Sequence, residues 1–386
     1  MKLYYWCPFF SKIATEKAVI NSIVSIKKFS NNKIEPILLD VIGEWGLQKK
    51  KLEEKKIKKT DLLSFKIINY LPKYGFLKSR FSYFIIFLFS IYKLHKKLKK
   101  DEPDFIVIHL MTFIPLLLLL MFNYKTKFIL RISGYPKLNF LRVCFWRIVG
   151  KKIFLITSPT KSTLNLLKEK KIFDKDIIKY LPDPILEISE IEKKKAEKNI
   201  IEKKISKENT VISIGRLTKQ KNFRFLIKAF YELQKIYTSY NLCIVGEGEE
   251  KNQLIQDIKK YNLEKKVFLT GFKDNIYDYL KNSKALILTS LWEDPGFVLV
   301  EAGYMNKTII SSDCPNSPCE LLENGKNGFL FESNKIDSFI KIFSEMENCK
   351  DQVILSKKIS YKKKIKEFTI FNHYKILNQL INEKQN

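Results

Sequence analysis

Apolar runs alternate with amphipathic segments throughout the second half of the chain. The apolar runs are short and rich in β-branched residues, as in TVISIG (210–215), NLCIVG (241–246), KVFLTG (266–271) and KALILTS (284–290). Segments with a helical spacing of apolar residues lie between them, such as FRFLIKAFYELQKIY (223–237). Strands that are apolar on both faces and separated by helices are typical of parallel sheets. This half therefore predicts a doubly wound α/β domain.

The first half has the same alternation with longer insertions. Strands are predicted at KLYYWC, IEPILLDVI, DFIVIHL, KFILRIS and KIFLITS, which begin at residues 2, 34, 104, 127 and 152. Helices are predicted over about 12 to 29, 81 to 100 and 115 to 122. The lysine-rich run 49–59 predicts a solvated segment. The pattern indicates a second doubly wound domain.

A run rich in lysine and glutamate, LPDPILEISEIEKKKAEKNIIEKKISKEN (181–209), separates the two halves. Its prolines interrupt regular structure and the run offers little to bury, so we expect a boundary near residues 182 to 190. The predicted organisation is a first domain over 1–185, a second domain over 186–370, and a C-terminal helix over 371–386 that packs back toward the first domain. The fold class is α/β, with two Rossmann-like doubly wound domains facing a central cleft.

Composition narrows the class of protein. The six cysteines include no Cys-x-x-Cys pair and the three histidines are scattered, so neither a metal site nor an oxidising compartment is indicated. The opening residues, MKLYYWCPFF, predict a strand and lack the pattern of a signal peptide. Two apolar stretches, 81–94 and 106–122, fall short of the roughly 20 clean residues of a spanning helix. We expect a cytoplasmic protein in which these stretches are buried or touch lipid.

The net charge of +29 is concentrated in the first half of the chain. Residues 1–185 contain 36 basic and 14 acidic residues, a net charge of +22, whereas the remainder contains 34 and 27, a net charge of +7. Such a charge is typical of proteins that bind nucleic acid or an anionic membrane. Only six of the 70 basic residues are arginine, which argues against a nucleic-acid-binding protein that contacts bases and phosphates. Coding bias toward lysine is the alternative source of this charge.

Two cations follow the predicted strand that ends at Gly215. Arg216 offers a planar fork of donors and Lys221 a mobile point charge, and both suit the oxygens of a diphosphate at a strand end. The alternative is a pair of solvated loop cations. The later turn VGEGEE (245–250) lacks a third glycine at dinucleotide-binding spacing, so it is either a ligand loop or simply a tight turn.

Two carboxylates lie on either side of a predicted helix start in SLWEDPGFVLVEAG (290–303). Glu293 emerges at the end of a strand, a Pro-Gly turn follows, and Glu301 lies in the second turn of the helix. The backbone amides near Gly296 and Phe297 form the positive end of that helix, which favours anions. A nucleotide sugar, with hydroxyl groups at both ends and phosphates in its middle, fits this order. The alternative is a pair of ordinary surface glutamates.

The motifs GRLTKQKN, VGEGEE, VFLTGF, SLWEDPGFVLVEAG and SSDCPNSPCELLENGKNGFLF, in this order across about 210 to 331, resemble glycosyltransferase family 4 (group 1). The resemblance implies the GT-B fold and retaining transfer from a nucleotide diphosphate sugar, with no metal and no other cofactor. By the same resemblance, Glu293 would hold the transferred sugar and Glu301 the ribose. Arg216 and Lys221 match the family's diphosphate grip, and Gly296 and Phe297 would offer backbone amides.

The first domain resembles the family more loosely. Its strand end DFIVIHL nominates His109 as a histidine near the donor phosphate and sugar, with a buried structural histidine as the alternative. PFFSKIATEKA stands in place of a glycine-rich first loop, and within it Lys12 and Thr15 are candidates to contact the acceptor or a phosphate. SDCPNSPCE stands where many members have a Gly-Gly turn before the glutamate that Glu320 matches. These departures leave the acceptor-side loop open.

The expected function is transfer of a sugar to a lipid-linked or envelope-glycan acceptor by a peripheral enzyme at the inner face of the cell membrane. The expected partners are the nucleotide-sugar donor, that acceptor and an anionic membrane surface, with no nucleic acid. Two alternatives are a nucleotide-sugar epimerase of the same fold and, from another class, a basic nucleic-acid-binding protein. The sequence does not identify the sugar, the base or the linkage.

Overall fold

The computed structural model describes residues 1–9, 14–71, 76–134, 136–197 and 209–383. The chain divides into two compact units. Unit 1 comprises Met1–Ile185 together with the C-terminal segment that begins at Ile370, and unit 2 comprises Leu186–Thr369. Each unit is a parallel sheet with helices between successive strands, which confirms the predicted α/β class with two doubly wound units.

Unit 1 contains a seven-stranded sheet with the strand order β3-β2-β1-β4-β5-β6-β7, and its paired strands are parallel. The strands are β1 Lys2–Trp6, β2 Glu35–Asp40, β3 Lys59–Asp61, β4 Phe105–Ile108, β5 Lys127–Arg131, β6 Leu155–Ser158 and β7 Ile178–Tyr180. The five predicted strands are present. The edge strands β3 and β7 were not predicted, because their short sequences KTD and IKY contain no apolar run.

The helices of unit 1 cover both faces of this sheet. They are α1 Ala14–Phe29, α2 Lys49–Glu54, α3 Phe76–Asp101, α4 Phe113–Met121, α5 Phe140–Gly150 and α6 Lys161–Glu169. Most charged side chains of the run 49–59 are exposed, as predicted, although the run also forms α2, which buries Leu52, and ends by entering β3. Within the described ranges, no helix combines the length and the apolar character needed to cross a bilayer.

Unit 2 contains a six-stranded parallel sheet with the order β10-β9-β8-β11-β12-β13. The strands are β8 Thr210–Ile214, β9 Asn241–Val245, β10 Val267–Leu269, β11 Ala285–Leu288, β12 Thr308–Ser312 and β13 Phe329–Phe331. The helices are α7 Ile188–Ala196, α8 Phe223–Gln234, α9 Lys251–Lys260, α10 Tyr277–Lys281, α11 Phe297–Tyr304, α12 Ser317–Leu321, α13 Ile336–Glu347 and α14 Asp351–Lys364. The central strands β8 and β11 are buried at every position, as their apolar sequences require.

The charged run between the halves and the C-terminal segment each contain a helix. Helix α7 lies in the charged run that separates the halves, because Ile191 is buried and anchors it in unit 2. The last helix, α15 Ile370–Glu383, packs on α1 within unit 1. The ring of Phe371 lies 5.2 Å from that of Phe29, edge to face.

Each sheet has one point where the strand order reverses direction. In unit 2 the chain winds outward from β8 through β9 to β10, then returns to place β11 on the other side of β8. In unit 1 the same reversal separates β1 from β4. Loops that follow the two strands at such a point diverge and leave a crevice, which is where open α/β sheets bind ligands.

Candidate functional site

An ion pair occupies the reversal point of unit 2. Lys221 lies in the loop after β8 and Glu293 in the loop after β11, and the Lys221 ammonium donates to Glu293 Oε1. Glu293 is 4% exposed, and the side chain of Lys221 is 15% exposed. Two residues that are 72 positions apart therefore meet because their strands are neighbours. The aliphatic stem of Lys221 lies over Gly215, where a Cβ would come within 3.0 Å of Lys221 Cε.

The loop that carries Glu293 is fixed from both sides. On the β8 side, the backbone amide of Leu291 donates to Gln220 O at 2.8 Å, and Gln220 Nε2 donates to Trp292 O at 2.9 Å. On the β12 side, Ser312 Oγ donates to Ser290 O at 2.7 Å. The backbone on which the carboxylate sits is therefore set by neighbouring strands rather than by the loop alone.

Arg216 lies in the same loop as Lys221 but in a different environment. Its side chain is exposed, and its guanidinium has no hydrogen-bond or ion-pair partner among the described residues. A cation at a strand end with five unpaired donors is available for an anionic ligand. Lys221, in contrast, is already paired with Glu293.

The glycines of VGEGEE serve close packing of two backbones. A Cβ on Gly246 would lie 1.8 Å from Gly215 O, and one on Gly248 would lie 2.3 Å from Leu217 O. The backbone amide of Leu217 donates to Glu247 O at 2.9 Å. The turn therefore buttresses the loop that carries the two cations, which accounts for both glycines without a dinucleotide.

Helix α11 begins at the end of the loop that carries Glu293, as predicted. Gly296 precedes it with φ of 74° and ψ of 66°, a left-handed conformation that glycine adopts readily, and Phe297 is its first residue. The first amides of a helix have no intrahelical acceptor and point along the positive end of its dipole. Glu301 lies in the second turn and is 8% exposed. Tyr277 donates its hydroxyl to Glu301 Oε1 at 3.4 Å.

Tyr277 stays protonated at this position. Burial is the largest cause that raises its pKa, and the neighbouring charges of Glu301 and Glu190 raise it further. A protonated phenol acts as a donor to the carboxylate. Glu320, which the sequence matched to a family glutamate, lies farther along the chain in α12 and is half-buried.

His109 follows β4 at the reversal point of unit 1. It is 7% exposed, its ring stacks on Tyr5 at 5.9 Å, and neither ring nitrogen has a hydrogen-bond partner among the described residues. Burial lowers the pKa of His109 well below its usual value, and the charge of Arg131 lowers it further. The imidazole is therefore neutral at physiological pH.

A cavity of about 20 Å³ lies beside this imidazole, within unit 1. Such a volume holds roughly one water molecule. Its polar lining comprises Tyr5, Ser22, His109, Arg131, Thr157, Asp183 and His373. This lining supplies the two to four polar partners that a buried water needs.

Two buried interactions border the cavity. Arg131 Nε donates to Asp183 Oδ1 at 2.9 Å and its Nη2 donates to Asp183 Oδ2, so the pair is bidentate. His373, on α15, donates from Nδ1 to Pro182 O at 2.7 Å and accepts from Ser22 Oγ at 2.8 Å through Nε2. Burial lowers the pKa of His373 to about 4.

Of the remaining candidates, Lys12 lies outside the described residues and Thr15 is half-buried in the first turn of α1. Sequence reasoning missed Ser290, Tyr277, Arg131, Asp183 and His373. Ser290 stands three residues before Glu293, a spacing that could have been noticed, whereas the other four depend on contacts between distant parts of the chain. Within the described ranges, no three Cys, His, Asp or Glu side chains cluster as metal ligands do.

Comparison with known proteins gives a consistent picture. Residues 194–366 match the sequence model described as glycosyl transferases group 1. The chain is 31% identical over 249 residues to an uncharacterised glycosyltransferase of Methanocaldococcus jannaschii, covering 60% of this chain and 61% of the relative. The chain thus matches about three fifths of that relative's length.

Two further likenesses extend the comparison. The chain is 27% identical over 254 residues to N-acetylgalactosamine-N,N'-diacetylbacillosaminyl-diphospho-undecaprenol 4-alpha-N-acetylgalactosaminyltransferase of Campylobacter jejuni, covering 64% of this chain and 68% of the relative. The crystal structure of Anabaena HepE in complex with UDP covers 99% of this chain and 100% of its own, with a TM-score of 0.74 and 15% identity. That likeness establishes the two-domain GT-B fold. Through residues 194–366, the chain is similar to the glycosyl transferases group 1 family.

Proposed function

We propose that this protein is a retaining, metal-independent glycosyltransferase of family 4. It moves a sugar from a nucleotide diphosphate sugar to a lipid-linked or envelope-glycan acceptor and needs no cofactor. The observation that carries the proposal is the buried Lys221–Glu293 pair at the reversal point of unit 2, beside the start of α11. A cation, a carboxylate and free helix amides at one sheet edge match the phosphates and hydroxyl groups of such a donor.

Each residue of unit 2 then has a chemical task. Lys221 and Arg216 neutralise the charge that develops on the leaving diphosphate, and the amides of Gly296 and Phe297 donate to the same group. Glu293 accepts from hydroxyl groups of the transferred sugar, and Glu301 accepts from the ribose. These groups are fixed before the reaction, so they need little reorganisation in the transition state.

The reaction needs no protein nucleophile in this scheme. The acceptor hydroxyl attacks the anomeric carbon on the face from which the diphosphate departs, and a new carbon–oxygen bond forms as the bond to the diphosphate breaks. The hydroxyl proton passes to the departing phosphate oxygen, so atoms and charge balance. By the family resemblance, His109 would act on the donor as a neutral imidazole, an uncharged hydrogen-bonding group.

A surface of unit 1 supports a lipid-linked acceptor. We call it the aromatic face, and it consists of exposed apolar residues on α3, α4 and α5: Phe81, Phe84, Leu88, Tyr92, Phe113, Met121, Phe140, Leu141 and Ile148. On α3, two small polar side chains are buried and two aromatic side chains are exposed. Ser82 and Ser90 are fully buried, while Phe81 and Phe84 are more than half exposed. The three helices are neighbours, and the Phe113 ring lies 5.2 Å from that of Phe145 on α5.

Charge favours an anionic membrane as the partner of the aromatic face. The segments 80–100, 111–128 and 136–152 contain lysine and arginine but no aspartate or glutamate. Aromatic side chains bordered by cations are typical of surfaces that rest in the headgroup region of anionic lipid. We propose that the protein is peripheral to the inner face of the cell membrane, and that it does not bind nucleic acid.

The donor is tested by presenting UDP- and GDP-sugars, with membrane lipid extract, to the purified protein. We expect one nucleotide sugar to be consumed with release of the nucleoside diphosphate, and NMR of the product to show the anomeric configuration of the donor. An inverted product would contradict the retaining mechanism. Conversion of the donor without acceptor into its epimer would identify an epimerase instead. Retention of activity in EDTA tests the absence of a metal.

The membrane surface is tested by sedimentation with vesicles of phosphatidylglycerol and phosphatidylcholine at physiological salt. We expect binding that requires the anionic lipid and that falls at least about fivefold in Phe84→Ser/Leu88→Ser. Leu355→Ser, an exposed leucine on α14 of unit 2, is the matched control and should bind as the wild type does. Binding that is equal in all variants, or equal on neutral vesicles, would refute the aromatic face as a membrane surface.

A further inference from the structure

The two oxygens of the Glu293 carboxylate have different surroundings. Oε1 accepts from the Lys221 ammonium and also from Ser290 Oγ, which lies 2.5 Å away. Among the described residues, Oε2 has no hydrogen-bond partner. Both protein donors therefore converge on one oxygen and leave the other as the acceptor that a ligand can use.

Ser290 is held so firmly that the direction of its hydroxyl is defined. The residue is fully buried, and its carbonyl accepts from Ser312 Oγ at 2.7 Å. The next residue, Leu291, is bonded through its amide to Gln220 O on the opposite side. A short, buried serine with an immobile backbone can direct its proton to Glu293 Oε1 without competition from solvent.

Lys221 alone cannot define the orientation of the carboxylate. An ammonium carries three donors on a flexible stem, so it can pair with either oxygen or with both. The serine hydroxyl has one proton, and it donates this proton to Oε1. Ser290 and Lys221 together, rather than Lys221 alone, therefore determine which oxygen of Glu293 remains available.

We propose that Ser290 is a positioning residue that turns Glu293 so that Oε2 faces one hydroxyl group of the transferred sugar. This inference rests on the proposed glycosyl transfer and makes it more specific. It means that the donor must present a hydroxyl donor at that position, and that a deoxy or methylated sugar is discriminated against there. A site built to bond a hydroxyl rejects an analogue that lacks it, because its own polar group is then left unpaired.

The test compares Ser290→Ala, Ser290→Thr and Ser213→Ala in full-length protein. Ser213 is the matched control, since it is a buried serine on β8 whose hydroxyl donates to Ile287 O at 2.7 Å within the same sheet. Each variant is assayed with the nucleotide sugar that the wild type consumes and with its monodeoxy analogues. Unfolding in urea is measured for all variants, so that loss of folded protein is not mistaken for loss of positioning.

We expect Ser290→Ala to lower kcat/KM for the intact donor about tenfold or more, mainly through kcat. On the deoxy analogue that lacks the bonded hydroxyl, the wild type itself should be slow and Ser290→Ala should change it less than about twofold. Ser290→Thr, which keeps the hydroxyl, should recover much of the activity. Ser213→Ala should leave the ratio between intact and deoxy donors unchanged.

Two outcomes would overturn the inference, and they differ from failure of the proposed function. If Ser290→Ala slowed the intact donor and every deoxy analogue by the same factor, the serine would act only on the fold. If Ser290→Ala matched the wild type on the intact donor, Glu293 would need no positioning. If the wild type and Ser213→Ala consumed no nucleotide sugar at all, the proposed transfer itself would fail, and the inference with it.

Discussion

The two units place different chemistry at the same topological position. In unit 2, the reversal point between β8 and β11 holds a lysine, a glutamate and a free arginine within two short loops. In unit 1, the reversal point between β1 and β4 holds the neutral imidazole of His109 against the ring of Tyr5. Strand order fixes where each group emerges, but it does not fix whether that group is charged.

The available partners, rather than the degree of burial, explain the difference: Glu293 is 4% exposed and His109 is 7% exposed. Lys221 and Glu293 form an ion pair, in which each is the counter-ion of the other. Among the described residues His109 has no carboxylate partner, and Arg131 beside it pairs with Asp183, so burial favours the uncharged imidazole. Unit 2 therefore presents an ion pair at its reversal point, and unit 1 presents a neutral imidazole.

The comparison predicts that the buried Arg131–Asp183 ion pair stabilises the fold of unit 1. Arg131→Met should lower the free energy of unfolding by about 3–5 kcal/mol, because it leaves the Asp183 carboxylate buried without its partner. Urea unfolding followed by tryptophan fluorescence measures this in a Trp292→Phe background, since the other three tryptophans, Trp6, Trp45 and Trp146, lie in unit 1.

The control for this ion pair is Arg224→Met in unit 2, with unfolding of all variants also followed by circular dichroism, because the Trp292→Phe background leaves unit 2 without a tryptophan. Arg224 pairs with Asp257, but its side chain is 53% exposed, so its loss should lower the free energy of unfolding far less than Arg131→Met does. The double variant Arg131→Met/Asp183→Leu should recover much of the lost stability, because no unpaired charge remains. An Arg131→Met protein as stable as the wild type would mean that Asp183 is hydrated, and the contrast between the units would then be lost.

The ion pair of unit 2 should behave in the opposite way, with its main effect on turnover. Lys221→Ala should lower kcat about 10²-fold or more, because the charge on the leaving diphosphate loses a fixed cation. Lys219→Ala is the matched control, an exposed lysine two residues earlier in the same loop, and it should stay within about twofold of the wild type. Near-normal turnover in Lys221→Ala would remove the electrostatic role of this pair.

The sequence predicted more of unit 2 than of unit 1, for a physical reason. The loops after β8 and β11 are short, so Lys221, Glu293 and Gly296 stand close to strand ends that apolar runs define. In unit 1, Arg131 and Asp183 meet because the end of β5 and the loop after β7 lie at the same edge of the sheet, and His373 joins them because α15 returns to pack on α1. No local sequence pattern indicates such contacts.

In two places of unit 1, the local composition of the sequence did not predict the structure. Helix α3 buries Ser82 and Ser90 on the same face as Ile86 and Leu94 and exposes Phe81 and Phe84, so hydrophobicity alone does not identify its core face. The lysine-rich run before β3 became partly helical because a single leucine, Leu52, is buried. In both places, the packing of neighbouring elements outweighs local composition.

A smaller effect concerns unit 1, whose stability we expect to depend on pH. The pKa of His373 is lowered to about 4 in the folded protein, against about 6.5 when unfolded, because the imidazole is buried. Between these values the unfolded chain binds a proton that the folded chain does not, so stability falls as pH decreases. From pH 7 to pH 5 this histidine alone should cost unit 1 about 2 kcal/mol.

His373→Asn should flatten that dependence while lowering stability at pH 7, because asparagine does not titrate but loses part of the contact with Ser22 and Pro182. The measurement is urea unfolding of wild type and variant at pH 7, 6 and 5, again by the tryptophans of unit 1. His95→Asn, a half-buried histidine of the same unit, is the control and should keep the slope of the wild type. A slope that His373→Asn leaves unchanged would assign the pH dependence of unit 1 to His109 or to its carboxylates, and α15 would then be held by its apolar contacts alone.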